Sequence, residues 1–254
     1  MTRVGVLGAD GKMGRLVCAT VDAEPDLELV AAVDPSSAGA RVGELDIALE
    51  PAALVDAKTE VAVDFTRPDA VMENIRFCVE QGIHAVVGTT GIDPDRMHEI
   101  RGWLRERGDV GVIVAPNFAI GAVVGQRLAE QAARFFPAAE VVELHHDQKV
   151  DAPSGTAAAT ARRIAQARRE SWSGPTGGEA FRGGEVEGVR VHSVRLPGLV
   201  AHQEVIFGTQ GQTLTIRHDA PDRTSYMPGV LVAIREVATR PGLTVGLEPL
   251  LGLD

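Results

Sequence analysis

The residues best suited to chemistry lie within fourteen consecutive positions, Glu143-Leu144-His145-His146-Asp147-Gln148-Lys149-Val150-Asp151-Ala152-Pro153-Ser154-Gly155-Thr156. Two of the seven histidines and one of only three lysines fall here, in a chain with 22 arginines. A composition that favours Arg so strongly for plain positive charge marks Lys149 as a position that needs an ammonium able to give up its proton, which a guanidinium does not do at usable pH. If residues 141–146 form a strand, the His145 and His146 rings point to opposite faces and do not share a metal. No second His or Cys cluster has metal-ligand spacing, and no metal is expected. Asp147, Gln148 and Lys149 then fall in a loop. Ser154 is placed to N-cap a helix over 156–169, whose Gly155-Thr156 start presents amides and a hydroxyl to an anion such as a carboxylate. From spacing alone, a strand end with surface His and Lys before a capped helix fits as well as a site does.

A second motif, Gly8-Ala9-Asp10-Gly11-Lys12-Met13-Gly14, follows an apolar run at 4–7 and opens a helix. The spacing G-x-x-G-x-x-G is a variant of the dinucleotide fingerprint: glycines permit a tight turn and close backbone approach, and the helix N-terminus favours a pyrophosphate. Asp34, 20 residues beyond Gly14, ends the second strand where a carboxylate would bond the adenosine ribose hydroxyls. It favours a free 2′-hydroxyl over a 2′-phosphate, and Pro35 rather than an arginine follows it. NADH is the expected cofactor, with NADPH also usable. Lys12, Ser36 and Ser37 are the residues near enough in sequence to meet a phosphate. Gly88-Thr89-Thr90-Gly91, Ala115-Pro116-Asn117-Phe118 and Asp64-Phe65-Thr66-Arg67-Pro68 follow later strands, where open α/β sheets bind ligands. Ordinary strand-to-helix turns explain these three runs equally well.

The elements that must position these residues alternate. Strands are expected at 4–7, 27–33, 61–65, 85–87 and 110–115, with helices at 11–23, 68–81, 93–107 and 120–136. That alternation implies a doubly wound parallel sheet. Beyond it the pattern changes to longer strands of a mixed sheet at 140–146, 189–196, 204–207 and 212–218. Residues 174–188, rich in Gly and charge, read as a mobile loop. A helix over 227–238 and an apolar tail at 245–253, expected to pack on the first domain, complete the chain.

Composition is ordinary for a soluble globular protein. Apolar residues make up 44% and charged residues 24% of the 254. No run of 18 apolar residues suggests a membrane span, and the start has no signal-peptide pattern. Cys18 and Cys78 read as buried thiols of a reducing cytoplasm. A net charge of −10 argues against nucleic acid as a partner.

The run from Glu143 to Thr156, extended by Ala157, resembles the signature of the 4-hydroxy-tetrahydrodipicolinate reductases, also known as dihydrodipicolinate reductases. The opening run at 4–14, the segments at 87–91 and 115–118, and Gly198-Leu199-Val200-Ala201-His202-Gln203-Glu204 fit in order, so the resemblance covers essentially the whole chain. The tail is most similar to actinobacterial members.

The resemblance implies a Rossmann-type domain, residues 1–118 plus 227–254. An α+β substrate and oligomerisation domain on a mixed sheet, residues 119–226, is inserted into it. It implies NAD(P)H-dependent reduction of a cyclic dicarboxylate, (2S,4S)-4-hydroxy-2,3,4,5-tetrahydrodipicolinate, with loss of water, in diaminopimelate and lysine biosynthesis. By this resemblance His145 is the acid/base residue and Lys149 the proton donor, with His146, Ser154, Gly155 and Thr156 on the substrate. Gly8, Ala9, Asp10, Gly11, Lys12, Met13, Asp34, Gly88, Thr89, Thr90, Ala115, Pro116, Asn117 and Phe118 would hold the cofactor. Cationic His and Lys beside a helix N-terminus would suit the two carboxylates. Asp10 departs from relatives with a basic residue there and would weaken NADPH binding. Homotetramers through the second domain's sheet are implied, in the cytoplasm.

Overall fold

The structure, a computed structural model, describes residues 1–168 and 181–253. The chain divides into two compact units, Met1–Phe118 with Tyr226–Asp254, and Ala119–Ser225. Among the described residues no helix is long and apolar enough to cross a membrane.

The first unit runs β1 (Thr2–Leu7), α1 (Lys12–Asp22), β2 (Leu27–Val33), β3 (Arg41–Val42), β4 (Leu45–Asp46), α2 (Ala52–Asp56), β5 (Val61–Asp64), α3 (Val71–Gln81), β6 (His84–Val87), α4 (Pro94–Glu106) and β7 (Gly111–Val114). The second contributes α5 (Ile120–Ala132), β8 (Ala138–His145), α6 (Gly155–Ala167), β9 (Gly184–Val186), β10 (Val189–Arg195), β11 (Ala201–Thr209) and β12 (Gln212–Ala220). The chain then returns to the first unit with α7 (Met227–Glu236) and β13 (Gly242–Val245).

The first sheet is wholly parallel, in the order β13-β7-β6-β5-β1-β2. Every residue of β5 and β7 is buried, as a sheet covered on both faces requires. Ile75, Cys78 and Val79 of α3, with Ile100 and Leu104 of α4, pack on one face. Because β1 lies between β2 and β5, the strand order reverses there, and the glycine loop leaves the sheet at this switch point, where open α/β sheets bind ligands. Two details differ from the sequence reading. The small β3–β4 hairpin and α2 were not anticipated, since elements of two to five residues carry no readable period. A sixth strand precedes the apolar tail: β13 pairs with β7 and ends at Val245, where the expected tail begins, and Leu247 just beyond it is fully buried.

The second sheet is mixed, in the order β12-β11-β8-β10-β9, with β8 and β10 parallel and the other pairs antiparallel. On the face toward α5 and α6, Val141, Val189, Val191, Val205 and Phe207 meet Ala129, Ala157, Ala161 and Ile164. Small helix residues bring the helix backbones close to the sheet, and the Phe136 and Phe207 rings lie 5.7 Å apart. The opposite face carries Glu140 bonded to His192 and Arg182, Arg217 bonded to Glu204, and His202 paired with Asp219.

The expected loop at 174–188 is corrected in part, while residues 174–180 lie outside the described residues. Gly184–Val186 is a strand joined to β10 through Glu187 and Gly188, whose φ values of 49° and 77° make the left-handed two-residue turn that tight hairpins use. Glycine and charge there signalled a turn rather than a long loop. β11 also begins at Ala201, three residues before the expected start. His202 and Gln203 break the apolar alternation, and Gln203 is retained in the strand by bonding Thr160 of α6 at 2.9 Å.

Candidate active site

In the second unit β8 delivers Glu143 and His145 to the same sheet face, two residues apart. Glu143 is fully buried. Its Oε2 bonds His145 Nδ1 at 2.5 Å and accepts from Arg195 at 2.9 Å, while Oε1 accepts from Arg195 at 2.8 Å and from the Ser154 amide at 3.1 Å. Arg195 ends β10, directly beside His145 in the parallel register, and its side chain reaches diagonally to Glu143. Burial resists the Glu143 charge, but hydrogen bonds from Arg195, Ser193, His145 and the Ser154 amide outweigh it and hold the carboxyl down at about 2. An ionised carboxylate only accepts, so the imidazole proton sits on Nδ1 and Nε2 carries the lone pair.

Burial depresses the His145 pKa; the Glu143 carboxylate pulls it back up in part, and Lys149 and Arg195 add to the depression. The neutral imidazole is therefore favoured at neutral pH. The loop after β8 turns through a Lys149 amide bond to the His146 carbonyl at 3.2 Å. The Lys149 ammonium, only 21% exposed, lies against the Asp151 carboxylate at 2.7 and 2.8 Å. His146 is half-buried in the same loop.

Ser154 caps α6 as expected, its hydroxyl accepting from the Ala157 amide at 3.1 Å. At Gly155 nothing lies within 4 Å of where a Cβ would be, so a ligand has room to approach the backbone of the first turn. Thr156 opens that turn, and its carbonyl accepts from Thr160 and Gln126. His145, His146, Lys149, Ser154, Gly155 and Thr156 thus belong to one strand-loop-helix connection. Among the described residues no three His, Cys, Asp or Glu side chains gather as a metal site would need.

In the first unit the turn after β1 is built for close approach. Gly8 has φ +77°, and a Cβ on Gly14 would sit 2.0 Å from the Gly8 carbonyl oxygen, so neither position admits a side chain. The Gly8 and Ala9 amides both donate to the Val33 carbonyl, and Ala9 is fully buried, so these two residues shape the turn. Gly11 N-caps α1 without a side-chain bond and no acidic residue occupies the first turn, which contains Lys12 and Met13. That is the arrangement a pyrophosphate needs.

Asp34 accepts from the Asp10 amide at 3.2 Å and the Ser36 amide at 3.1 Å, one bond per oxygen, and a carboxylate so placed still has lone pairs for ribose hydroxyls. Asp10 does not point idly to solvent: it pairs with Arg15 and accepts from Ser37 at 2.6 Å. Ser37 is thereby drawn toward a carboxylate. The residues present fit a nicotinamide dinucleotide.

Thr89 is buried and bonds Asp64 at 2.6 Å, while Gly88 and Thr90 flank it at the end of β6. Asp64 also accepts from the Thr66 amide and hydroxyl at 2.9 and 2.7 Å and from Asn74 at 2.7 Å. Ala115 and Phe118 are buried and Pro116 is exposed, with Asn117 between; the Phe118 ring lies 5.7 Å from that of Phe65.

Three side chains of these networks were not singled out from sequence. Glu143 was inside the signature without a role, although an acid two positions before a strand histidine is a readable sign of a shared face. Arg195 lies 46 residues beyond Lys149 and is brought in by strand register alone. Asn74 reaches Asp64 from the first turn of α3, ten residues along the chain.

Two family models match the chain. One is described as "Dihydrodipicolinate reductase, N-terminus", over residues 2–118, and the other as "Dihydrodipicolinate reductase, C-terminus", over residues 121–251. A 4-hydroxy-tetrahydrodipicolinate reductase of Nocardia farcinica is 59% identical, covering 99% of both chains. That of Mycolicibacterium smegmatis is 52% identical over 99% of this chain and 100% of its own. A solved dipicolinate-bound dihydrodipicolinate reductase from Paenisporosarcina sp. TG-14 superposes with a TM-score of 0.88 at 39% identity, covering 98% of this chain and 99% of that one. A myo-inositol dehydrogenase from Corynebacterium glutamicum, at TM-score 0.62 and 16% identity over 95% and 90% of the chains, is similar in fold alone.

Proposed function

The chain belongs to the dihydrodipicolinate reductase family, and from that premise we propose that His145 and Lys149 manage the protons of its reaction. That reaction is the NAD(P)H-dependent reduction of (2S,4S)-4-hydroxy-2,3,4,5-tetrahydrodipicolinate to (S)-2,3,4,5-tetrahydrodipicolinate, with loss of water, in the diaminopimelate route to lysine. The observation that carries the assignment is the imidazole fixed at Nδ1 by Glu143, immediately before a loop that holds Lys149 and ends in the Ser154-capped α6.

When bound, the nicotinamide supplies a hydride. The carbon skeleton that accepts it gains an electron pair and needs a proton, which the Lys149 ammonium delivers. Asp151 keeps that ammonium in the loop until substrate arrives. His145 Nε2, unprotonated while Glu143 holds the Nδ1 proton, acts as the acid/base partner. His146, Ser154, Gly155 and Thr156 seat the substrate carboxylates on the first turn of α6, where amide groups and the helix dipole favour negative charge. Gly8 to Met13, Asp34, Gly88 to Thr90 and Ala115 to Phe118 seat the dinucleotide. The Asp34 carboxylate supports NADH as the preferred form, with NADPH also used. Arg15 offsets part of the Asp10 charge, so Asp34 carries most of that preference. Assembly as a homotetramer through the sheet of the second unit rests on the family resemblance.

Lys149→Ala tests the proton assignment. It should bind NADH and dipicolinate yet lose about a hundredfold or more of kcat. Near-normal kcat would remove Lys149 from that role. A kcat/KM that favours NADPH strongly over NADH would reverse the cofactor preference.

A further inference from the structure

The pair formed by buried Glu143 and partly exposed Arg195 is saturated in a way that matters for the site. Arg195 has five N–H donors, and each has a partner. Nε donates to the Lys149 carbonyl at 3.2 Å. One terminal nitrogen donates to Glu143 and to the Val194 carbonyl at 2.9 and 2.8 Å. The other donates to Glu143 and to the Asp151 carbonyl at 2.8 and 2.7 Å. Glu143, with no exposed surface, spends its oxygens on Arg195, the His145 ring, the Ser193 side chain and the Ser154 amide. A guanidinium this close to the candidate catalytic residues would ordinarily be read as a carboxylate-binding group, but here it has no donor left to offer. Its bonds instead go to the two backbone carbonyls on either side of Val150, in the loop that carries Lys149.

We propose that Glu143 and Arg195 are positioning residues: Glu143 fixes the His145 ring with Nε2 outward and ties down the start of α6, while Arg195 clamps the Lys149–Asp151 loop without touching substrate. This rests on the roles given above to His145 and Lys149. The pair makes three otherwise separate pieces one unit: the histidine, the lysine loop and the helix N-terminus. A displacement of about 1 Å at reacting groups costs on the order of a hundredfold in rate, so a clamp of this kind is needed to hold both proton-handling groups in register.

The test uses the full-length protein. Arg195→Lys keeps the charge but cannot span Glu143 and both carbonyls; it should lower kcat about a hundredfold while KM for the dicarboxylate and the Kd of dipicolinate move less than about threefold. A KM or Kd raised tenfold or more with kcat retained would make Arg195 a substrate ligand and overturn the proposal. Breaking a buried pair can unfold a protein, whereas replacing both partners by apolar residues often restores stability. Glu143→Leu with Arg195→Met should therefore melt higher than either single substitution without regaining kcat. Recovery of kcat in that double variant would likewise overturn the proposal. An arm independent of turnover is ¹⁵N NMR of His145: the Nδ1-protonated tautomer should dominate in the wild type and lose that dominance in the double variant. An Nε2-protonated wild type, or an unchanged tautomer in the variant, would refute the clamp. Absence of turnover in the wild type itself would instead count against the reaction assigned above.

Discussion

Acid should weaken the second unit by an amount that one side chain accounts for. The Glu143 carboxyl is held at about 2, against an ordinary value of 4.5. A carboxyl whose native pKa lies below its unfolded one stabilises the fold above the unfolded value and loses that contribution as pH falls through the native value. At about 1.4 kcal/mol per pH unit, a gap of about 2.5 units corresponds to roughly 3 kcal/mol. At pH 6 essentially all of it is present, and at pH 3 about 1.4 kcal/mol remains, so about 2 kcal/mol disappears between them. Glu143→Gln removes the titrating group while nearly preserving its shape. Urea unfolding followed by circular dichroism is run for both proteins at both pH values, each also in a His145→Gln background so that the coupled imidazole does not contribute; carboxylates away from the site titrate in both proteins and cancel. The substitution should cost about 3 kcal/mol at pH 6 and about 2 kcal/mol less at pH 3. An equal cost at the two pH values would refute the ionised, hydrogen-bonded carboxylate on which the His145 tautomer depends.

Other substitutions probe the remaining parts. Lys149→Arg keeps the positive charge and should retain dipicolinate binding, yet a guanidinium cannot release a proton; single-turnover NADH oxidation should slow about a hundredfold or more. Gly14→Ala places a Cβ 2.0 Å from the Gly8 carbonyl oxygen. The loop must shift, and losing even one amide-to-phosphate hydrogen bond of about 1.5 to 3 kcal/mol should raise the NADH Kd by roughly tenfold or more in a titration. Ser154→Ala removes the α6 cap and should cost about 1 kcal/mol in urea unfolding. Dipicolinate affinity should fall with it, because the first turn of α6 is the proposed carboxylate seat.

What the sequence made legible was local. The glycine loop could be read because a turn, a helix start and a spaced acid fall within 27 residues, and each leaves a residue-type signature. The alternation of short apolar strands with helices gave the parallel sheet for the same reason. The Ser154 cap and the strand ending at His145 follow from neighbours in the chain. The clamp did not, because Arg195 meets Glu143 only through the parallel pairing of β8 with β10, a register that no local pattern encodes. The direction of the His145 shift was not legible either, because burial, which depends on the packed unit, outweighs its acidic neighbour. β13 was missed because four residues, Gly242–Val245, carry too little alternation to mark a strand. β9 was hidden by a composition that signalled its turn but not its pairing.

The most direct measurement follows a label. The wild-type protein is given NADH deuterated at the transferable position together with freshly generated 4-hydroxy-tetrahydrodipicolinate, and the product is examined by mass spectrometry. The expected result is one deuterium in each tetrahydrodipicolinate formed for each NADH consumed. NADH that binds but is not consumed, or product without label, would contradict hydride transfer at this site.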